Sequence, residues 1–195
     1  MAARDGLVQS AIDLVRRRGV AGTGVAQLLE HSGLSRRTIY LNFPGGKSEL
    51  IAEATRVSGR ATTTLIETFG RGGTTEATIN AFADTWKQIV ESSGFLAGCP
   101  IVAAALGRLE APAAADAAGA AFTEWEQALE SRLRAEHIAP DTAKSLATTV
   151  IATIEGAVVM SLAKQSTEPL EHAGLHLSEL IRANARPQDD TAAQP

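Results

Sequence analysis

Residues 32–50 read Ser32-Gly33-Leu34-Ser35-Arg36-Arg37-Thr38-Ile39-Tyr40-Leu41-Asn42-Phe43-Pro44-Gly45-Gly46-Lys47-Ser48-Glu49-Leu50, and few folds accept such a stretch. Gly33 marks a turn, because glycine tolerates positive φ without steric cost. Ser35 is a good N-cap for a new helix. Arg36, Arg37 and Thr38 fill that helix's first turn, where the macrodipole disfavours cations. An anion outside the chain accounts for arginines in that place. Pro44 ends the helix, since it pushes Phe43 out of the α region. Leu34, Ile39, Leu41 and Phe43 supply the apolar anchor. The spacing predicts the second helix of a helix-turn-helix, with its first residues offered to a DNA major groove.

The net charge of −4 hides an asymmetry that fits this expectation. Residues 1–60 hold nine Lys and Arg against five Asp and Glu, while the remainder holds nine against seventeen. A basic head on an acidic body suits a nucleic-acid-binding unit joined to something else. Period-two runs of strand-forming residues are absent and aromatics make up 4%, so an all-α chain is expected. One cysteine, Cys99, excludes an intramolecular disulfide and fits a reducing cytoplasm. With no apolar signal core and no uncharged run of about 20 residues, a cytoplasmic protein without a membrane span is expected.

Apolar periodicity predicts about nine helices. The first covers 4–18 and closes on Arg16, Arg17 and Arg18, a charge run that helix capping explains, with Gly19 at C′. Thr23 is expected to cap the second, which stops at Gly33; the third covers 35–42. A long fourth helix runs over 47–69 and links the head to the body. Gly70-Arg71-Gly72-Gly73 gives the clearest boundary. Helices at 75–93, 100–109, 113–137, 141–164 and 168–184 follow. The expected organisation is a helix-turn-helix DNA-binding domain at 1–46, a connecting helix at 47–69, a ligand-binding and dimerisation domain at 74–186, and a disordered tail at 187–195.

Residues 4–50 resemble the N-terminal domain of the TetR family of bacterial transcriptional repressors. The matching elements are the first helix ending in Gly19, Thr23-Gly24-Val25, the turn Ser32-Gly33-Leu34-Ser35, Thr38-Ile39-Tyr40-Leu41-Asn42-Phe43, and Lys47-Ser48-Glu49-Leu50. Phe43-Pro44-Gly45-Gly46-Lys47 and Gly98-Cys99-Pro100 are similar to the subgroup of LmrA- and YxaF-like regulators. The family often has His where Asn42 stands here. The resemblance implies a homodimeric repressor on palindromic operator DNA, released by a small hydrophobic or aromatic inducer. Arg36 and Arg37 are the candidates for base edges, Thr38 for a base or methyl, and Ser35 sits beside them. Tyr40, Asn42, Lys47 and Thr23 are the candidates for phosphates. The resemblance also places the dimer seam on the last two helices. Their stripes are Ile151, Ile154, Val158 and Leu162, then Leu170, Leu177, Leu180 and Ile181. A position such as Ile154 or Leu180 falls either at that seam or in the monomer core.

Trp86, Phe95, Phe122, Trp125 and Met160 could line the inducer cavity, and the same residue types are ordinary core. Glu155 interrupts the apolar run 150–157, where a buried carboxylate requires a partner. It hydrogen-bonds an inducer or faces solvent near the seam. Gly46-Lys47-Ser48 is not a phosphate-binding loop, because position 41, where that motif requires glycine, is Leu. His172 and His176 share a helix face with Glu168 but lack the framework of a metal site, and His31 and His137 stand apart. No cation adjoins Cys99 in sequence to stabilise a thiolate. No catalytic residue, metal or cofactor is expected. The alternative from another class is a helical ligand carrier or enzyme whose head is a protein-interaction module.

Overall fold

A computed structural model describes residues 3–71 and 73–185. Among these residues the chain forms nine helices and no strand. They are α1 (Ala3–Arg18), α2 (Val25–Ser32), α3 (Arg36–Asn42), α4 (Gly46–Phe69), α5 (Thr75–Ser92), α6 (Pro100–Leu106), α7 (Pro112–Ala135), α8 (Pro140–Lys164) and α9 (Glu168–Asn184). The expected all-α class is therefore observed. The tail at 187–195, expected to be disordered, lies outside the described residues.

Two apolar clusters organise the chain. The smaller joins Leu7, Ala11 and Leu14 of α1 to Leu28, Ile39 and Phe43. The larger fills the body and takes in Val15 and Val20 from the end of α1 and the loop after it. Helix α4 serves both, giving Leu50 and Ala54 to the smaller cluster and Ile51, Ala52 and Ile66 to the larger. Its crossing with α7 is close: a Cβ on Gly59 would stand 2.8 Å from the Ala121 Cβ. Only a glycine fits there without movement of a helix. The approach lets the buried Trp125 indole donate its N–H to the Gly59 carbonyl at 3.1 Å.

Several helix ends follow from side-chain chemistry. Ser35 caps α3 as expected, accepting from the Thr38 amide at 3.2 Å. Gly19 takes φ +68° and its amide donates to the Val15 carbonyl at the end of α1. Thr74 caps α5 by accepting from Ala77 N at 3.1 Å, while Glu136 receives the Thr75 amide and hydroxyl. A carboxylate suits this helix N-terminus. Helix α6 stops at Leu106, short of the expected 109, because Gly107 N turns back to the Ala104 carbonyl.

Thr23 does not cap α2. Gly24 holds that position without a side-chain bond, and the Thr23 hydroxyl donates at 2.7 Å to the Gly19 carbonyl. Leu41 is not an anchor either: it is 70% exposed, whereas Ile39 and Phe43 are buried. The stripes of the last two helices divide between the monomer core and the surface. Ile154, Val158, Leu170, Leu177 and Ile181 are buried inside this chain. Val159, Met160, Leu175 and Leu180 instead form the apolar part of the outward faces of α8 and α9. By length and composition α8 could cross a membrane, yet its other face is buried in the body core.

Candidate nucleic-acid interface and ligand cavity

Helix α3 presents one polar face. Ser35, Arg36, Arg37 and Tyr40 are exposed, and Thr38 and Asn42 are half-buried beside them. No ion pair among the described residues engages Arg36 or Arg37. Both guanidinium groups keep their donors for a partner outside the chain. The helix is held from behind by Ile39 and Phe43, and the Arg4 guanidinium of α1 lies 5.2 Å from the Phe43 ring centre. Arg4 also meets Glu53 of α4 at 3.1 Å, so one side chain braces α3 against two helices.

The other residues of this face divide. The Thr38 hydroxyl is 2.8 Å from that of Ser35, and the Asn42 amide donates to the Thr38 carbonyl at 2.8 Å. Tyr40 is 45% exposed, and one edge of its ring packs on Gly46, where a Cβ would meet it at 3.1 Å. Gly46 also has φ +66°, so its backbone favours glycine, and the ring of Tyr40 crowds the same side. Lys47 is half-buried and donates to the Val20 carbonyl at 3.2 Å, which leaves two of its three N–H donors free of this bond. Glu49 accepts from Gly45 N at 2.7 Å, so the first turn of α4 already carries a carboxylate. Thr23 departs from the expected set: it is fully buried with its hydroxyl committed to Gly19, and it cannot reach a phosphate.

The second site is a narrow slot between α4, α5, α7 and α8 with about 20 Å³ of free room, enough for about one water. Ile66, Phe82, Trp125, Leu129 and Ile154 give it apolar walls, and Thr78 and Glu155 are its polar side chains. The Thr78 hydroxyl is satisfied by the Thr74 carbonyl at 3.1 Å. Neither Glu155 oxygen meets a donor at full hydrogen-bond geometry, and the one polar group acting on it by hydrogen bonding is the Cys99 thiol. Burial raises its carboxyl to about 7, with the Cys99 thiol the group that pulls it back down. The thiol in turn is pushed well above its usual range, first by burial and then by Glu155. A buried, protonated thiol of this kind is a poor nucleophile.

Of the six residues expected at the ligand, Trp125 and Glu155 line this slot. Trp86 and Phe122 stand one ring behind it, packed edge-to-face on Phe82 at 6.4 Å and on Trp125 at 5.4 Å. Phe95 sits with φ +59° in the loop before α6, packs against the body core and does not line the slot. Met160 is a correction: it lies on the outer face of α8, 53% exposed. Phe82 escaped the sequence reading although it lies one turn from Trp86 on α5. Arg16 escaped it too. Its Nε donates to the Gly98 carbonyl at 3.3 Å and its own carbonyl accepts from Gly98 N at 2.9 Å, tying α1 to the residue before Cys99.

Residues 7–54 match the model of the TetR family of bacterial regulatory proteins, and residues 75–176 match that of the LmrA/YxaF-like regulator C-terminal domain. An uncharacterized HTH-type transcriptional regulator of Mycobacterium tuberculosis is 33% identical over 187 residues, covering 92% of this chain and 94% of the relative. The HTH-type transcriptional regulator LmrA of Bacillus subtilis is 28% identical over 181 residues, covering 92% and 96%. Among solved structures, a TetR transcriptional regulator from Chloroflexus aurantiacus superposes with a TM-score of 0.80 at 28% identity, over 94% of this chain and 96% of that one. The regulatory protein TetR from Rhodobacter sphaeroides has the same fold, with a TM-score of 0.83 at 15% identity over 92% and 98%. With one family model spanning more than half its length and a relative above 30% identity along nearly all of it, the chain belongs to the TetR family and its LmrA/YxaF-like branch, as a DNA-binding transcriptional regulator and not an enzyme.

Proposed function

We propose that this regulator is a homodimeric repressor that leaves its operator when a small apolar ligand enters the slot between α4, α5, α7 and α8. The observation that carries the reading is the pairing of two incomplete sites. One is a helix whose first-turn arginines have no ion-pair partner among the described residues, and the other is an apolar slot holding a buried carboxyl that meets only a thiol. In this reading residues 1–46 are the DNA-binding head, 47–69 the connecting helix and 74–186 the ligand-binding and dimerisation unit. Arg36 and Arg37 read base edges, with guanine favoured for bidentate contact. Thr38 and Ser35 lie at the groove floor or its rim. Tyr40, Asn42 and the two remaining donors of Lys47 fix phosphates and register.

Composition supports the dimer. Helix α8 buries Leu146, Val150, Ile154 and Val158 on one side and exposes Ala152, Gly156, Val159 and Met160 on the other. The C-terminal half of α8 is thus apolar on its outward side as well as its inward one, and an apolar outward stripe favours cover by a partner. A second copy of α8 and α9 supplies that cover, and it sets two heads about 34 Å apart, one turn of DNA, or a multiple of it. Acting on the chromosome, such a dimer works in the cytoplasm.

The route between the sites is short. Glu155 of the slot faces Cys99, which opens α6; the adjoining Gly98 is bonded to Arg16 of α1. A ligand that moves the Glu155 carboxylate acts on the loop that holds the head. Release requires only that the ligand prefers the body conformation with the wrong head spacing. The test is fluorescence anisotropy on labelled operator DNA with ligand added. Release that saturates together with quenching of tryptophan emission supports the reading. Quenching without release, or release without quenching, removes the slot from regulation.

A further inference from the structure

We propose that Leu41 reads the operator, its methyl groups set against the C5-methyl of a thymine in the major groove. This rests on α3 being the reading helix and adds a residue to what it reads. An α-helix turns about 100° per residue, so Arg37 and Leu41 each stand about 200° from the buried Ile39. They are one turn apart on the side turned away from the core. Thr38 and Asn42 lie half-buried on one flank, and Tyr40 leans on Gly46 on the other. Leu41 is 70% exposed, so the described residues leave most of it uncovered. A duplex that brings Arg37 to a base edge brings Leu41 to the groove with it.

The rest of the face decides what Leu41 can meet. Arg36 and Arg37 carry donors with no ion-pair partner among the described residues. Helix α3 has no acidic side chain to accept from the cytosine amine. The Asn42 amide donates to the Thr38 carbonyl, which holds it against its own helix. The Thr38 hydroxyl lies 2.8 Å from that of Ser35. What remains outward is a set of donors suited to guanine and one branched apolar side chain. The thymine methyl is the apolar group that a major-groove base edge presents. The cationic neighbours of Leu41 favour duplex DNA over an apolar protein surface as its cover. A thymine methyl gains by leaving water against Leu41, whereas a purely polar base edge would lose water there without a partner. Side chains one turn apart have Cβ atoms about 6 Å apart and base pairs rise about 3.4 Å, so the thymine falls within one or two base pairs of the guanine read by Arg37.

The probe is the duplex that the full chain enriches from a random DNA pool, with each thymine in turn replaced by deoxyuridine in both half-sites. The replacement removes the C5-methyl and leaves the hydrogen-bonding edge unchanged. Fluorescence anisotropy gives Kd for each duplex. At one thymine, close to a guanine that Arg37→Ala ceases to select, the wild type is expected to lose about fourfold in affinity for each methyl removed. Leu41→Ala should bind the thymine and deoxyuridine duplexes within about 1.5-fold of each other, the outcome of a closed double-mutant cycle. Its retained preference for guanine at the Arg37 position shows that the head is folded. Leu41→Met, still apolar, should keep the deoxyuridine penalty. Tolerance of deoxyuridine at every position by the wild type overturns the proposal. So does a penalty that persists in Leu41→Ala, one lost equally in Leu41→Met, or a selected half-site without thymine. Each of these leaves α3 as a reading helix that works through guanine. A pool in which no sequence is enriched removes that reading and the proposal together.

Discussion

Arg16 and Gly98 hold each other by two hydrogen bonds of opposite direction, Gly98 N to the Arg16 carbonyl at 2.9 Å and Arg16 Nε to the Gly98 carbonyl at 3.3 Å. The first satisfies one of the carbonyls that the end of α1 leaves without an intrahelical partner. The second desolvates the guanidinium, and burial is the leading cause of its lowered pKa. Eighty-two residues separate the two, and the pair is the direct bond from the reading head to the loop that opens α6.

Removing the side-chain half of this clasp should uncouple the two sites more than it unfolds the protein. Arg16→Ala is expected to cost about 1 kcal/mol of stability, the worth of one part-buried hydrogen bond. Operator affinity without ligand should change little. The ligand-induced loss of affinity, of the order of 1–3 kcal/mol for a coupled pair of sites, should shrink toward zero. Operator Kd measured with and without ligand checks this. An undiminished ligand effect in Arg16→Ala would place the coupling elsewhere.

The base-reading role of α3 predicts a selective defect. Arg37→Ala should weaken specific binding by about 1–3 kcal/mol and relax preference at one or two base pairs. Lys47→Ala should weaken operator and random DNA about equally and flatten the salt slope by about one unit. It should also lose the bond to Val20, so a control melt accompanies it. Competition binding over a salt series separates the two behaviours.

The dimer prediction turns on the division between Ile154 and Met160. Ile154 is 1% exposed and Met160 is 53% exposed, six positions apart on the same helix. Ile154→Glu buries an unpaired charge in the monomer core and should unfold the chain. Met160→Glu should leave helical circular dichroism intact, sediment as a monomer and lose operator affinity through lost bivalency. A Met160→Glu protein that stays dimeric and binds operator normally would move the seam off this face.

Glu155 makes stability depend on pH in an unusual direction. Its folded pKa, about 7, is above the ordinary carboxyl value of 4.5, so between these values the native state holds a proton that the unfolded state has lost. Stability from this group is therefore present below about 4.5 and falls as pH rises toward 7. A shift of this size corresponds to about 3 kcal/mol. Urea unfolding of the wild type and Glu155→Gln at pH 5 and pH 8 should show the wild type losing ground by roughly that amount relative to the variant. A constant gap between the two would mean the carboxyl is solvated.

Much of the head was legible in sequence because its signals are local. Ser35 caps the helix it precedes, Gly19 takes the left-handed conformation and Pro44 follows the end of α3. Thr23 misled because a threonine before a helix can cap forwards or bond back to the carbonyl four residues earlier, and only the packing of α1 decides. Leu41 misled because a seven-residue helix is too short for apolar spacing to define a face. In the body, Trp86 and Phe82 lie on one face of α5, and which of them meets the slot depends on where α7 and α8 cross it. The Arg16–Gly98 clasp and the Cys99–Glu155 contact join segments far apart in sequence, and no local pattern marks them.

Selection of bound duplexes from a random DNA pool with the full-length protein tests the central claim, that α3 of a symmetric dimer reads a specific operator. The expected result is an enriched palindrome whose half-site centres lie about 10 base pairs, or a multiple of that, apart. The pool selected by Arg37→Ala should lose information at one or two positions, symmetrically in both half-sites. Failure to enrich any sequence, a single asymmetric site, or an Arg37→Ala motif identical to that of the wild type would contradict that claim.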